Sequence, residues 1–339
     1  VTARWEDLNA RARGLATHLL TRGDLDALAH VPDVATLAAE LRRRGVPVTG
    51  DDVSPPALDL ALRRMAAARL RVLGRWCGPR AAVLAVLFED EDRRSVRALL
   101  RGAVQGVPSD VRLAGLVPTP ALPERALEVL ARQSTPGAIA ALLVAWRNPY
   151  GAALRTEAAG AHPDLFTLEL ALNRTYATRA LRASRKAGRR GLLTSYVQRV
   201  IDLENAYTAL VLAGGGQEVT LEDAFLPGGK RVSFAVFQAA AAAGNLEGAA
   251  RTLAAAFAGT PMASAFERYG GDPAKLEDAV LRICISDLVR AAREAPLGPA
   301  PLLAYALRQR AELLDLRRII WGVALGAPGD ALAQDLVMA

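Results

Sequence analysis

The sequence predicts an all-α protein built from three similar helical units, and three observations predict it. Aromatic residues make up only 5% of the 339 residues while hydrophobic residues make up 52%. The core must therefore be mostly Ala, Leu and Val, which suits closely packed helices. Apolar residues recur at three- and four-residue spacing and no stretch alternates convincingly with period two, so no sheet is expected. Two patterns also return at intervals near 110 residues.

The first pattern reads L-[DE]-x-A-[LV]-x-R. It occurs as LDLALRR (58–64), LELALNR (168–174) and LEDAVLR (276–282). Each opens a helical stretch, and its closing Arg is expected to be solvated or in an interhelical salt bridge. The second pattern occurs as DRRSVRALLRGAVQG (92–106), DLENAYTALVLAGGG (202–216) and ELLDLRRIIWGVALG (312–326). The leading acid suits a helix start, where free N–H groups favour negative charge. The closing Gly suits a left-handed cap. Together they predict a helix of about fifteen residues, near four turns. A weaker fourth copy, EDLNARARGLATHLL (6–20), aligns Asn9 with Asn205.

The intervening segments 34–45, 138–147 and 233–257 also read as helical, and Pro and Gly cluster at 45–56, 106–123, 213–229 and 295–301. The expected units are 1–110, 111–220 and 221–339, the last with a closing helix. Open solenoids usually repeat every 20–50 residues or so. A far longer period favours three lobes around a pseudo-threefold axis.

The formal net charge is +7, and Lys occurs only at 186, 230 and 275, so the basic surplus is nearly all Arg. A compositional bias explains this as readily as an anion-binding surface does. Cys77 and Cys284 stand far apart, outside any metal spacing. They are expected to be inert packing residues in a reducing compartment, not a disulfide framework. Glu6 and Asp7 fall where a leader's apolar segment would lie, so no signal peptide is expected. The longest apolar run, AAVLAVLF (81–88), is too short to cross a bilayer.

One stretch raises the question of chemistry: FLPGGKRVSF (225–234), with two glycines and two cations in succession. A P-loop needs G-x-x-x-x-G-K-[ST]. Here Gly229-Lys230 is followed by Arg231, and Ala224 stands where the first Gly belongs. All-helical prenyl-pyrophosphate synthases carry a GGKR element, and the chain also holds an acidic cluster, FEDED (88–92). Those enzymes need two aspartate-rich motifs after GGKR to bridge diphosphate through Mg²⁺, and none follows residue 231. FEDED is more simply a polar junction between helices.

His18, His30 and His162 share no metal spacing, and no Ser, Cys or Thr stands in a nucleophile context. The runs Arg42-Arg43-Arg44 and Arg189-Arg190 suit pairing with carbonyls at helix C-termini. They lack the aromatic stripe of a nucleic-acid site. Neither catalytic residues nor a cofactor, metal or small-molecule substrate is expected.

Several stretches together resemble the C subunit of prokaryotic V/A-type rotary ATPases, whose eukaryotic counterpart is the d subunit. The end, PLGPAPLLAYALRQRAELLDLRRIIWGVALG (296–326), resembles that family's closing Pro-Leu-Gly loop, Tyr-containing helix, acid and final helix. WEDLNARARG (5–14) is similar to its start, and DLENAYTALVLAGGG with AFLPGGKRV (224–232) to its central helix and Pro-Gly-Gly loop. Where the family often has Lys-Glu-x-Glu, this chain has Arg308-Gln309-Arg310-Ala311-Glu312, keeping only the last acid.

The resemblance implies a funnel-like body of three helical lobes on the cytoplasmic face of the membrane. It also implies a non-catalytic role, coupling the D and F subunits of the central stalk to the membrane proteolipid ring during proton or sodium transport. A generic helical-repeat scaffold for another protein partner is the alternative. Leu226, Pro227, Gly228, Gly229, Lys230 and Arg231, with Arg42, Arg43 and Arg44, are the candidate contact residues for such partners or for anionic lipid headgroups. Loops at the ends of repeats present accessible polar groups.

Overall fold

The computed structural model describes residues 5–160, 163–187, 191–215 and 219–338. The expectations that fall on His162, Arg189, Arg190 and Gly216 lie outside these. Among the described residues the chain is all helical, with eighteen α-helices and no strand.

Short helices lead into a pair of long ones, three times over. The first set is α1 (Glu6–Ala16), α2 (Arg22–Ala29) and α3 (Val34–Arg43), then the long α4 (Pro55–Cys77) and α5 (Ala81–Val104). The second is α6 (Ser109–Leu113), α7 (Glu124–Ala131), α8 (Pro136–Ala145) and α9 (Gly151–Glu157), then α10 (Leu165–Ala187) and α11 (Leu192–Ala213). The third is α12 (Leu221–Ala224), α13 (Phe234–Ala241), α14 (Leu246–Ala256) and α15 (Pro261–Glu267), then α16 (Pro273–Glu294) and α17 (Ala300–Ala324). The short α18 (Gly329–Gln334) follows. The leading long helices start at residues 55, 165 and 273, in step with the sequence pattern.

Local chemistry fixes many of the helix starts. Thr21 and Asp24 form a reciprocal capping box at α2. Asp33, Thr135 and Asn245 cap α3, α8 and α14, each accepting the N–H three residues on. Gly106 and Gly326 close α5 and α17 with positive φ, as the C-cap reading requires, and Gly215 turns with positive φ just after α11. The stretch 233–257 is two helices rather than one. Gly244 turns at φ 70° and Asn245 restarts the chain as the cap of α14.

The leading acids of the second pattern correct the sequence reading. Asp92, Asp202 and Glu312 sit near the middle of α5, α11 and α17, not at their starts. These helices are 22–25 residues long rather than about fifteen. All three acids are buried. A buried carboxylate must be satisfied, and Asp202 and Glu312 accept N–H groups from other segments instead of capping their own helices. FEDED is likewise no junction. It lies within α5, where Asp90 pairs with Arg93 and Arg94, and Glu89 pairs with Arg179.

The chain divides into two compact units. The first comprises residues 1–81, 107–132 and 284–339. In it α17 packs against α1, α2, α3, α4 and α18, burying Leu25, Leu28, Leu37, Leu58, Leu316 and Ile319. The second comprises residues 82–106 and 133–283. Its axis is α11, packed against α10, α13 and α14, with Val197, Ala206, Phe237 and Leu253 fully enclosed.

Candidate functional site

The Pro-Gly-Gly loop of the second unit is held by α11. Asp202 accepts backbone N–H groups from Lys230 (2.9 Å), Arg231 (3.0 Å) and Val232 (2.9 Å). One turn along, Asn205 accepts the N–H of Leu226 and donates to its carbonyl, both at 2.8 Å. Successive N–H groups converging on one point make an anion nest. Here the anion is the protein's own carboxylate, so the loop's phosphate-like character is spent internally. Burial pushes the Asp202 carboxyl above its usual range, against the pull of the three N–H groups.

Both glycines are required by that geometry. Gly228 has φ 111°, and a Cβ there would overlap Leu181. A Cβ on Gly229 would overlap the Asp202 carboxylate. The Lys230 and Arg231 side chains are exposed, Arg231 reaching only the Ala258 carbonyl at 3.5 Å.

Arg42, Arg43 and Arg44 belong to the first unit. Arg42 donates to the carbonyls of Val48 (3.3 Å) and Gly50 (2.8 Å), tying down the loop after α3. Arg43 pairs with Glu40 at 2.5 Å. Arg44 pairs with Glu40 and lies 3.7 Å from Asp24. Most of the run's charge is engaged locally; Arg42 and Arg43 are exposed and Arg44 is half-buried.

The first unit has its own polar clamps. Glu312 accepts the Leu20 N–H at 2.8 Å and pairs with Arg69. Burial pushes its carboxyl upward, opposed by Arg69. Asp315 accepts the N–H groups of Val337 (2.7 Å) and Met338 (2.8 Å). Asn9 donates to the carbonyls of Pro296 (2.8 Å) and Gly298 (2.9 Å), so it fastens the loop before α17. Asp59, the acid of the first LDLALRR pattern, pairs with Arg317 at 2.7 Å.

In the second unit the corresponding region is a buried ion network. Arg93, fully enclosed, pairs with Asp90 and Glu204 (both 2.7 Å), bonds Asn173, and lies over the Tyr176 ring. Arg97 pairs with Glu204 at 3.1 Å, and Arg101 with Glu169 at 2.5 Å. Burial alone would raise the Glu204 pKa, but Arg93, Arg97 and Arg94 outweigh it and hold it at about 2.

No cluster of three or more His, Cys, Asp or Glu among the described residues could hold a metal ion. Both cysteines are buried, and burial pushes the Cys77 thiol up to about 11, which keeps it protonated and unreactive. No helix among the described residues is long and apolar enough to cross a membrane.

The sequence reading missed one feature beside the loop. A groove of about 810 Å³ opens between α10 and the α12–Pro227 segment, and Leu226 and Pro227 from the candidate loop line it. Its other wall carries Arg174, Arg182, Arg185 and Lys186. Their spacing, R-x₇-R-x₂-R-K over 174–186, was visible in the sequence as one basic helix face.

These features define an all-helical protein of recurring long-helix pairs, whose buried charged groups fasten its own backbone or pair with one another. The family model described as ATP synthase (C/AC39) subunit matches residues 8–334, and the chain belongs to that family. The match bears out the resemblance to the C and d subunits read from the sequence. No curated protein matches the chain.

Proposed function

We propose that the chain is the non-catalytic adapter of a V/A-type rotary ATPase, joining the D and F subunits of the central stalk to the membrane proteolipid ring. The observation that carries this reading is the family match over nearly the whole chain. The adapter passes torque between stalk and ring, in step with proton or sodium transport. Such a part must be stiff. Support comes from the clamps: Asp202, Asn205, Glu312 and Asp315 each fasten backbone segments to a long helix. The GGK loop, its nest filled by Asp202, serves the fold rather than a substrate.

The three units, 1–110, 111–220 and 221–339, form three lobes about a pseudo-threefold axis. The protein lies peripherally on the cytoplasmic face of the membrane. The exposed cations Arg43, Lys230 and Arg231 meet acidic stalk residues or anionic lipid headgroups.

The test is copurification. The tagged protein, extracted in mild detergent, is expected to bring down proteolipid and the D and F subunits. A clean preparation without them would overturn the reading. Affinity for isolated D–F is expected to fall as salt rises, and an affinity unchanged from low to high salt would remove the electrostatic part.

A further inference from the structure

The groove of the second unit has an arrangement that its own fold does not use. Arg182, Arg185 and Lys186 are exposed and make no hydrogen bond or ion pair with the described residues. Other cations of α10 are engaged: Arg174 donates to the Asp223 carbonyl, and Arg179 pairs with Glu89. Three cations at i, i+3 and i+4 repel one another on a helix surface. The helix dipole favours Arg185 and Lys186 in the last turn of α10, but it does not account for the apolar floor beneath them. Leu181, Phe225 and Pro227 supply that floor, and Pro227 is exposed.

We propose that this groove docks an acidic amphipathic helix of a partner protein. From Arg174 to Lys186 the basic wall covers thirteen residues of α10, about 18 Å at 1.5 Å per residue, with its three uncommitted cations near the C-terminal end. A ligand must therefore place its acids over the turn that faces Arg182, Arg185 and Lys186. Its apolar seam would cover Leu181, Phe225 and Pro227, the anchors of a helix-in-groove contact.

Glu222 and Asp223, on the opposite wall, set the polarity. The face of the partner turned toward α12 must be neutral or basic, so a uniformly acidic surface is disfavoured. A bilayer is disfavoured too. It is flat where the groove is concave, and its headgroups would meet Glu222. The groove's role does not depend on the rotor assignment, because charge, shape and apolar floor are properties of this unit alone.

The test uses the full chain and a fluorescein-labelled helical peptide of about 20 residues, long enough to hold helix in water. The peptide carries Glu along one face and Leu along the next. Anisotropy titration is expected to show saturable binding. The triple variant Arg182→Glu, Arg185→Glu, Lys186→Glu should weaken it by about tenfold or more, as three exposed ion pairs would give. Arg71→Glu with Arg75→Glu, two exposed cations on α4 of the first unit, should leave it unchanged.

A peptide with Ser replacing Leu should bind more weakly, as should one with Lys replacing Glu. The proposal falls if the triple variant binds like the parent, or if either altered peptide binds equally well. It also falls if phosphatidylglycerol vesicles, but not the peptide, bind in a manner the triple variant abolishes. The three positions are exposed, and an unchanged circular-dichroism melt shows that the variant is folded. The rotor assignment is tested separately by copurification, so either reading can fail alone.

Discussion

The two units use the same register position in opposite ways. In the second, Asp202 collects three N–H groups from a loop 28–30 residues ahead in the chain. In the first, its counterpart Glu312 takes one N–H, that of Leu20, 292 residues away, and completes its coordination with Arg69. The local clamp is built from backbone alone and demands two glycines. The distant clamp needs a side-chain cation. A carboxylate in the middle of a long helix can thus anchor whatever segment the fold brings to it, and sequence separation decides what else must be recruited.

The largest expected effect breaks the second unit's ion network. Arg93→Ala leaves Asp90 and Glu204 buried without their main partner and is expected to cost about 3–5 kcal/mol. Urea unfolding would measure it, and a loss under about 1 kcal/mol would show that the network is not what holds α5 to α10 and α11.

Next come the paired clamps. Asp202→Ala strands three N–H groups and is expected to cost about 3 kcal/mol. Asp202→Asn keeps an acceptor and should cost clearly less. Glu312→Ala should be partly relieved by Arg69→Ala in the same chain, because the stranded cation is then removed. Asp202→Ala has no such rescue. A double-mutant cycle separates the two cases.

A pH series sharpens the contrast further. The folded Glu204 pKa lies below the ordinary value, so its contribution is full above about pH 4.5 and is lost as pH falls toward 2. Glu312 and Asp202 are shifted upward by burial, so their ionisation opposes stability as pH rises through the folded values. Melting temperature against pH should lose much of its acid limb in Glu204→Gln. An identical acid limb in both proteins would rule out this assignment. The smallest effect is at the first unit's surface. Arg43→Ala, removing an exposed pair with Glu40, should change stability by less than about 0.5 kcal/mol in thermal melts.

Much of the fold was legible because its signals are periodic or local. The recurring L-[DE]-x-A pattern gave the starts of the long helices, and Gly106 and Gly326 gave the ends of two others. What sequence could not give were partners made by folding. Asp92, Asp202 and Glu312 looked like helix caps, since an acid before an apolar run is the usual sign of one. Their true partners, where the structure gives them, lie tens or hundreds of residues away.

FEDED looked like a break because clustered acids rarely continue a buried helix. It continues through α5 because Arg93, Arg94 and Arg179 neutralise it. At the loop, the turn at Gly228-Gly229 was readable from composition, but its fastening to Asp202 was not. The groove beside it escaped notice because its basic face matters only once Phe225 and Pro227 lie across from it.

Arg22 of α2 donates to the carbonyls of Ala333 (2.5 Å) and Met338 (3.0 Å), so the two extremities of the described chain are stitched together. During synthesis, the second unit's residues have all been made once residue 283 is added, while α2 and α3 must wait for α17 and α18 to emerge from the ribosome. Leu25, Leu28 and Leu37 lack their cover throughout that interval, which makes α2 and α3 the natural client of a chaperone.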